Sequence, residues 1–142
     1  MNIFLPFRYS LLYITLVKKD VSYTADEIIT QKEFRGRLWI NGQQGIFLGY
    51  GRVRLLERIR EYGSITKAAK SMKMAYRRAW QHVDSMNSQA IRPLVIAVTG
   101  GKGGGGAHLT EEGEKAIDLF RKFQADFQKF LKREEKLLKL RL

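Results

Sequence analysis

Ser64-Ile-Thr-Lys-Ala-Ala-Lys-Ser-Met-Lys-Met-Ala-Tyr-Arg-Arg-Ala-Trp-Gln-His-Val-Asp-Ser-Met-Asn87 reads as two short helices around a tight bend. Ser64 is placed to cap the first helix, with Thr66 as the alternative two residues on. Ile65, Ala68, Ala69 and Met72 then share its inward face, and the small pair Ala68-Ala69 lets a second helix cross closely. Stepping about 100° per residue along the second helix puts Tyr76, Ala79, Trp80, Val83, Met86 and Asn87 on one side. Arg77, Arg78, Gln81 and Ser85 fall on the other. A packed aromatic face opposite an Arg, Arg, Gln face suits a helix that enters the major groove of DNA. Guanidinium groups match guanine edges and phosphates, and glutamine matches adenine. Taken alone, the stretch also reads as a helical hairpin with a basic solvated face. The flanking chain decides between these readings.

Upstream, Arg37-Leu-Trp-Ile40 and Ile46-Phe-Leu48 have strand composition and flank Asn41-Gly-Gln-Gln-Gly45. Asn-Gly supplies the positive φ angles of a hairpin turn, so a β-hairpin with a five-residue connection is predicted. Gly49-Tyr-Gly51 ends the strand. A helix follows over 52–62, with Leu55, Leu56, Ile59 and Tyr62 as its apolar stripe and Arg52, Arg54, Arg58 and Arg60 elsewhere. Gly63 suits the residue after a helix end. The order is helix, one-glycine break, helix, turn, helix, the tri-helical core of a helix-turn-helix.

Downstream, Pro93 ends helical character and Leu94-Val-Ile-Ala-Val98 is strand-like. Thr99, Gly100, Gly101, Lys102, Gly103, Gly104, Gly105, Gly106 and Ala107 follow, and His108-Leu109 can return as a strand. Strand, glycine loop, strand is a wing, with Lys102 at its tip; glycines let a phosphate backbone approach closely. The loop imitates a nucleotide phosphate loop but lacks the Ser/Thr that must follow the lysine, and has no second lysine after the glycines. Thr110 is placed to cap a last helix running to about residue 140, with Glu111 and Glu112 at its positive end. Ala116, Phe120, Phe123, Phe127 and Phe130 recur along it at spacings of four and three. This seam is longer than a small tri-helical domain covers, which predicts pairing with a second copy through Phe120, Phe123, Phe127 and Phe130.

The formal net charge is +12 and the pI about 10.1, a balance that points to a polyanion. Residues 50–110 hold eleven Lys/Arg against three acids, so most of the surplus surrounds the opening stretch. Cysteine is absent, which removes disulfides, thiol nucleophiles and thiolate metal sites and fits a reducing cytosol. His82 and His108 lie on different elements without an acid partner in sequence, so neither a metal site nor an enzyme is expected. The apolar run Leu11–Val17 is too short to span a bilayer and lacks signal-peptide flanks. Residues 1–33 are read as an N-terminal extension, a strand or poorly ordered, with neither signal peptide nor membrane anchor.

Three blocks in order resemble the DNA-binding domain of the molybdate-responsive, ModE-type transcriptional regulators. They are Arg37-Leu-Trp and Phe47-Leu-Gly before Gly51-Arg52 and Leu55-Leu-Glu-Arg-Ile-Arg; Gly63-Ser-Ile, Ala68-Ala-Lys, Tyr76-Arg-Arg-Ala-Trp80 and Met86-Asn87; and Thr99 to Ala107 before Leu109-Thr110. The resemblance covers roughly residues 35–137. It implies a fold that is mainly α with a small β content: a winged helix-turn-helix (34–110) preceded by a hairpin and followed by a long dimerisation helix (111–142). It implies a homodimer on palindromic double-stranded DNA, in the cytoplasm. Arg78 and Gln81 would read base edges. Lys67, Lys70, Lys73, Arg77 and Lys102 would hold phosphates, with Ser64, Thr66 and Ser85 adding polar contacts. The sequence ends at Leu142 without the separate sensor domain of molybdate-binding members, so no cofactor and no molybdate binding are expected of it. Two departures stand out: the family usually has glycine where this chain has Lys73, and serine where it has Ala75. The fold is expected to survive both, with altered turn geometry. A nonspecific architectural DNA binder, or a protein-interaction module using the long helix, is the alternative function.

Overall fold

The computed structural model describes residues 33–98, 100 and 106–141, with side chains as far as Leu137. The expectation for residues 1–33 therefore lies almost wholly outside the described residues. Two hairpins and four helices follow in order: β1 Trp39–Gly42, β2 Gly45–Gly49, α1 Tyr50–Tyr62, α2 Ile65–Ser71, α3 Tyr76–Gln89, β3 Val95–Val98, β4 Gly106–Leu109 and α4 Glu111–Arg141. The strands form two separate antiparallel pairs, β1 with β2 and β3 with β4. This is the mainly helical winged helix-turn-helix expected from the sequence.

The apolar stripe of α1 drives the fold. Val53, Leu55, Leu56 and Ile59 are fully buried, and Ile65, Ala68 and Ala69 of α2 with Ala79, Val83 and Met86 of α3 close around them. Leu48 of β2, Leu94, Val95 and Ala107 at the base of the wing, and Ala116, Ile117 and Phe120 of α4 complete one core. Gly63 ends α1 in the left-handed region at φ 61°, and its N–H donates to the Ile59 carbonyl at 2.9 Å. Ser64 then caps α2, accepting from the Lys67 N–H at 3.4 Å, which leaves Thr66 as an ordinary first-turn residue.

The first hairpin forms where expected, but its turn does not. The strands run on to Gly42 and Gly45, so Gln43-Gln44 is a two-residue connection in place of five. The positive φ falls on Gly45, at 95°, and the register shifts between Ile40 and Asn41. The positive φ of the turn is thus met by Gly45, opposite Gly42, and the shift leaves Phe47 as the extra residue of the β2 strand.

α4 starts under tight steric control. Thr110 donates its hydroxyl to the Pro93 carbonyl at 2.7 Å and accepts from the Gly113 N–H at 3.1 Å. A Cβ on Gly113 would lie 2.3 Å from the Leu94 carbonyl oxygen, so glycine there lets α4 press against the base of the wing. Further along, Arg121 makes a two-point ion pair with Glu57 of α1 at 2.8 and 2.7 Å, and Arg60 pairs with Glu114 at 2.8 Å.

The aromatic seam of α4 divides lengthwise. Phe120 is 1 % exposed and belongs to the chain's own core, which corrects its expected place on a partner-facing seam. Phe127 is half-buried beneath the segment before β1, where a side chain on Gly36 would strike its ring at 2.6 Å. Leu119, Phe123, Phe130 and Leu137, on the other flank of the same arc, are exposed. The spacing of four and three spreads the five positions over an arc wide enough for one edge to serve the domain while the other faces outward.

Candidate nucleic-acid interface

α3 presents two unlike faces because of what packs on it. Ala79, Val83 and Met86 turn into the core, while Arg77, Arg78 and Gln81 stand exposed opposite. Among the described residues these three make no hydrogen bond or ion pair with another side chain, which leaves their donors and acceptors available. Lys67 and Lys70 are exposed on α2, and Lys73 on the turn between α2 and α3. Lys73 is the one non-glycine residue with positive φ, at 52°, among those described. Ala75 occupies the N-cap position of α3 with no side-chain hydrogen bond. The two departures from the pattern noted in the sequence thus sit at the turn's left-handed residue and at the cap of α3.

Ser85, two turns after Arg78 on the same side of α3, is half-buried, and the hydroxyl expected to add a polar contact is engaged within the chain. Its hydroxyl lies 3.2 Å from both the Arg52 guanidinium and the Gln89 amide nitrogen, which donate to it. Arg52 also donates to the carbonyls of Ile46 and, at 3.3 Å, Phe47. The sequence placed Arg52 off the apolar stripe; in the fold it staples the first hairpin to the far end of α3. His82, beside it, is partly buried. Burial, then the charges of Arg52 and Arg78, hold its imidazole below the ordinary pKa.

The wing is fixed to the helices at two points. Ala107 N–H donates to the Gly63 carbonyl at 2.9 Å, tying β4 to the break between α1 and α2. Asn87, near the end of α3, accepts from the N–H groups of Leu94 and Val95 at 2.9 and 3.2 Å and donates to the Val95 carbonyl at 2.8 Å. Periodicity placed Asn87 on the packed face without a task. In the fold it binds α3 to the start of the wing, and the one available signal was a polar residue ending an apolar face. β3 and β4 pair from Val95 opposite Leu109 to Val98 opposite Gly106. Of the expected wing residues, Gly100, Gly106 and Ala107 are described; Thr99, Gly101, Lys102, Gly103, Gly104 and Gly105 lie outside the described residues.

Tyr76 and Trp80 are the second miss. Both were expected in the core, yet they are 50 % and 36 % exposed and edge an open cleft between α3, the start of α2 and the wing. No group of His, Asp or Glu among the described residues is arranged to hold a metal, and no described helix is long and apolar enough to cross a membrane.

Comparison with known proteins matches this geometry. Residues 51–114 fit the family described as bacterial regulatory helix-turn-helix protein, lysR family. Over 105 residues, 74 % of the chain, the sequence is 38 % identical to the molybdenum transport protein ModE of Azotobacter vinelandii and covers 39 % of that protein. It is 46 % identical to the transcriptional regulator ModE of Haemophilus influenzae over 58 % of the chain and 32 % of the relative. Against the DNA-binding transcriptional dual regulator ModE of Escherichia coli K12 the values are 42 %, 55 % and 30 %. The chain spans about a third of the length of these curated relatives.

Proposed function

We propose that this chain, whose matched residues form a DNA-binding domain of the ModE type, is a sequence-specific regulator of transcription that binds double-stranded DNA as a homodimer in the cytoplasm. One observation carries the reading. Arg77, Arg78 and Gln81 are exposed together on a helix whose opposite face is core, and a wing is anchored beside it. α3 enters the major groove; Arg78 and Gln81 meet base edges, and Arg77, Lys67, Lys70 and Lys73 hold phosphates. The glycine loop of the wing, with Lys102, lies along the backbone. Catalysis has no part in this reading.

The outward flank of α4 supports the dimer. Phe123, Phe130 and Leu137 recur at intervals of seven, the period of a helix that packs along a second helix, with Leu119 one turn before. Phe120 drops out of the proposed seam and Phe127 lies at its margin. Glu57–Arg121 and Arg60–Glu114 fix the base of α4 to its own domain, so the pairing of the distal helices sets the separation of two recognition helices. Molybdenum appears in the names of three relatives, and the matched part covers less than half of each. We assign no molybdate site to these 142 residues.

Competition binding tests the reading. A set of genomic fragments is offered to the full chain against excess bulk DNA while salt is raised. A specific regulator retains one or a few fragments as bulk binding fades; loss of all fragments in parallel leaves a nonspecific architectural binder. Sedimentation of the full chain should give a dimer, and a monomer at micromolar concentration would sink the seam.

A further inference from the structure

The core closes without Tyr76 and Trp80. Ala79, Val83 and Met86 fill the inward face of α3, and the two rings stand edge to face beyond them, centroids 6.4 Å apart at 84°. The indole N–H donates to the tyrosine hydroxyl, so the polar edges of the pair satisfy each other. The rings form one wall of an open cleft of about 360 Å³. Ala97 and Val98 of the wing form the facing wall, and Ser64 and Thr66 line its end.

Such a cleft has a defined chemistry. A base edge needs a pattern of free donors and acceptors, yet the indole donor is engaged and the opposite wall is Ala and Val. A deoxyribose offers an apolar face beside an anionic phosphate. That pairing matches ring surface next to the Thr66 hydroxyl; Lys67 and Arg77, the chain neighbours of Thr66 and Tyr76, are exposed cations. The cleft lies between α3 and the wing, the two elements proposed to contact the duplex. We infer that the Tyr76–Trp80 cleft seats the sugar–phosphate backbone of one DNA strand, with the indole against a deoxyribose and the Thr66 hydroxyl on the adjoining phosphate. The inference rests on the DNA-binding reading above and adds a contact to it. The backbone is alike at every base pair, so this contact raises affinity without changing base preference.

The full chain with Trp39→Phe leaves Trp80 as the single tryptophan, and its emission then reports the cleft. Adding duplex DNA of random sequence should change that emission in step with binding followed by the anisotropy of labelled DNA. In the parent chain, Trp80→Ala should weaken random and selected duplexes by the same factor, roughly tenfold for the apolar area lost. Trp80→Phe should weaken both by less, with the ranking of base sequences kept; it carries the test if Trp80→Ala does not fold, as thermal melting will tell. DNA binding with unchanged Trp80 emission overturns the cleft contact and leaves the DNA reading standing. A reordered base ranking in Trp80→Phe also overturns it, since it reports a base contact. A chain that binds no duplex overturns both.

Discussion

Two chain reversals flank α2, and they are built to different standards. At the first, Gly63 takes the left-handed conformation at φ 61°, Ser64 caps the next helix, and the Gly63 carbonyl holds the wing through Ala107. At the second, Lys73 takes nearly the same conformation at φ 52° without being glycine, and Ala75 offers no cap to α3. A left-handed non-glycine residue costs about 1–2 kcal/mol, and a missing N-cap about 1 kcal/mol. The difference follows position. The first reversal anchors three elements, α1, α2 and the wing. The second faces the proposed DNA surface, where Lys73 adds an exposed cation. Stability is concentrated where the wing is held, and the turn nearest the proposed phosphates carries charge in place of conformational ease.

Substitutions at the two reversals test this contrast. Gly63→Ala should have the largest effect, a loss of about 1–2 kcal/mol in urea unfolding. Nothing lies within 4 Å of a Cβ there, so the loss isolates the backbone term. The same variant should weaken DNA binding, because the wing hangs on the Gly63 carbonyl. Lys73→Gly should do the reverse for stability, with a gain of about 1 kcal/mol, part of it offset by the freer unfolded chain. It should also flatten the dependence of DNA affinity on salt by about one phosphate contact. A Lys73→Gly chain that is less stable than its parent breaks the contrast. Ala75→Ser should add about 0.5–1 kcal/mol by capping α3, measured as a shift in the unfolding midpoint.

The smallest effect concerns pH. Burial and two neighbouring arginines depress the His82 pKa, so the unfolded chain takes up this proton at higher pH than the folded one. The contribution is fully present above the ordinary value of 6.5 and is lost as pH falls through the lowered folded value. Stability should decline from pH 7 to pH 5, and His82→Gln should remove that part of the decline.

Much of this arrangement is legible in the sequence because it is local. The stripe Leu55, Leu56, Ile59 shows at helical spacing, Gly63-Ser64 is a stop followed by a start, and Thr110 precedes a helix. What local patterns do not carry is the identity of the covering layer. Periodicity puts Tyr76 and Trp80 on the side of Val83, yet the smaller Ala79 already completes that layer. The phenylalanine spacing defines an arc on α4, but only the fold shows Gly36 and α1 covering one flank and leaving Phe123 and Phe130 outside. Asn87 reads as the polar end of an apolar face because its partners, Leu94 and Val95, lie beyond the helix. Asn41-Gly42 is a strong turn signal, yet both residues stay in the β1 strand and the positive φ falls on Gly45 after the Gln43-Gln44 connection. The exposed trio Arg77, Arg78, Gln81 was legible in full, since opposition to a buried face is what helical phase measures.

In the proposed complex α3 reads sequence while the lysines around it only hold the backbone. Gln81→Ala and Lys67→Ala, compared across every single-base change in a selected binding site, test it most directly. Gln81→Ala should relax preference at one position by about 1–3 kcal/mol. Lys67→Ala should lower affinity evenly and reduce the salt slope by about one. Two variants with the same flat loss, and no position relaxed by Gln81→Ala, would contradict it.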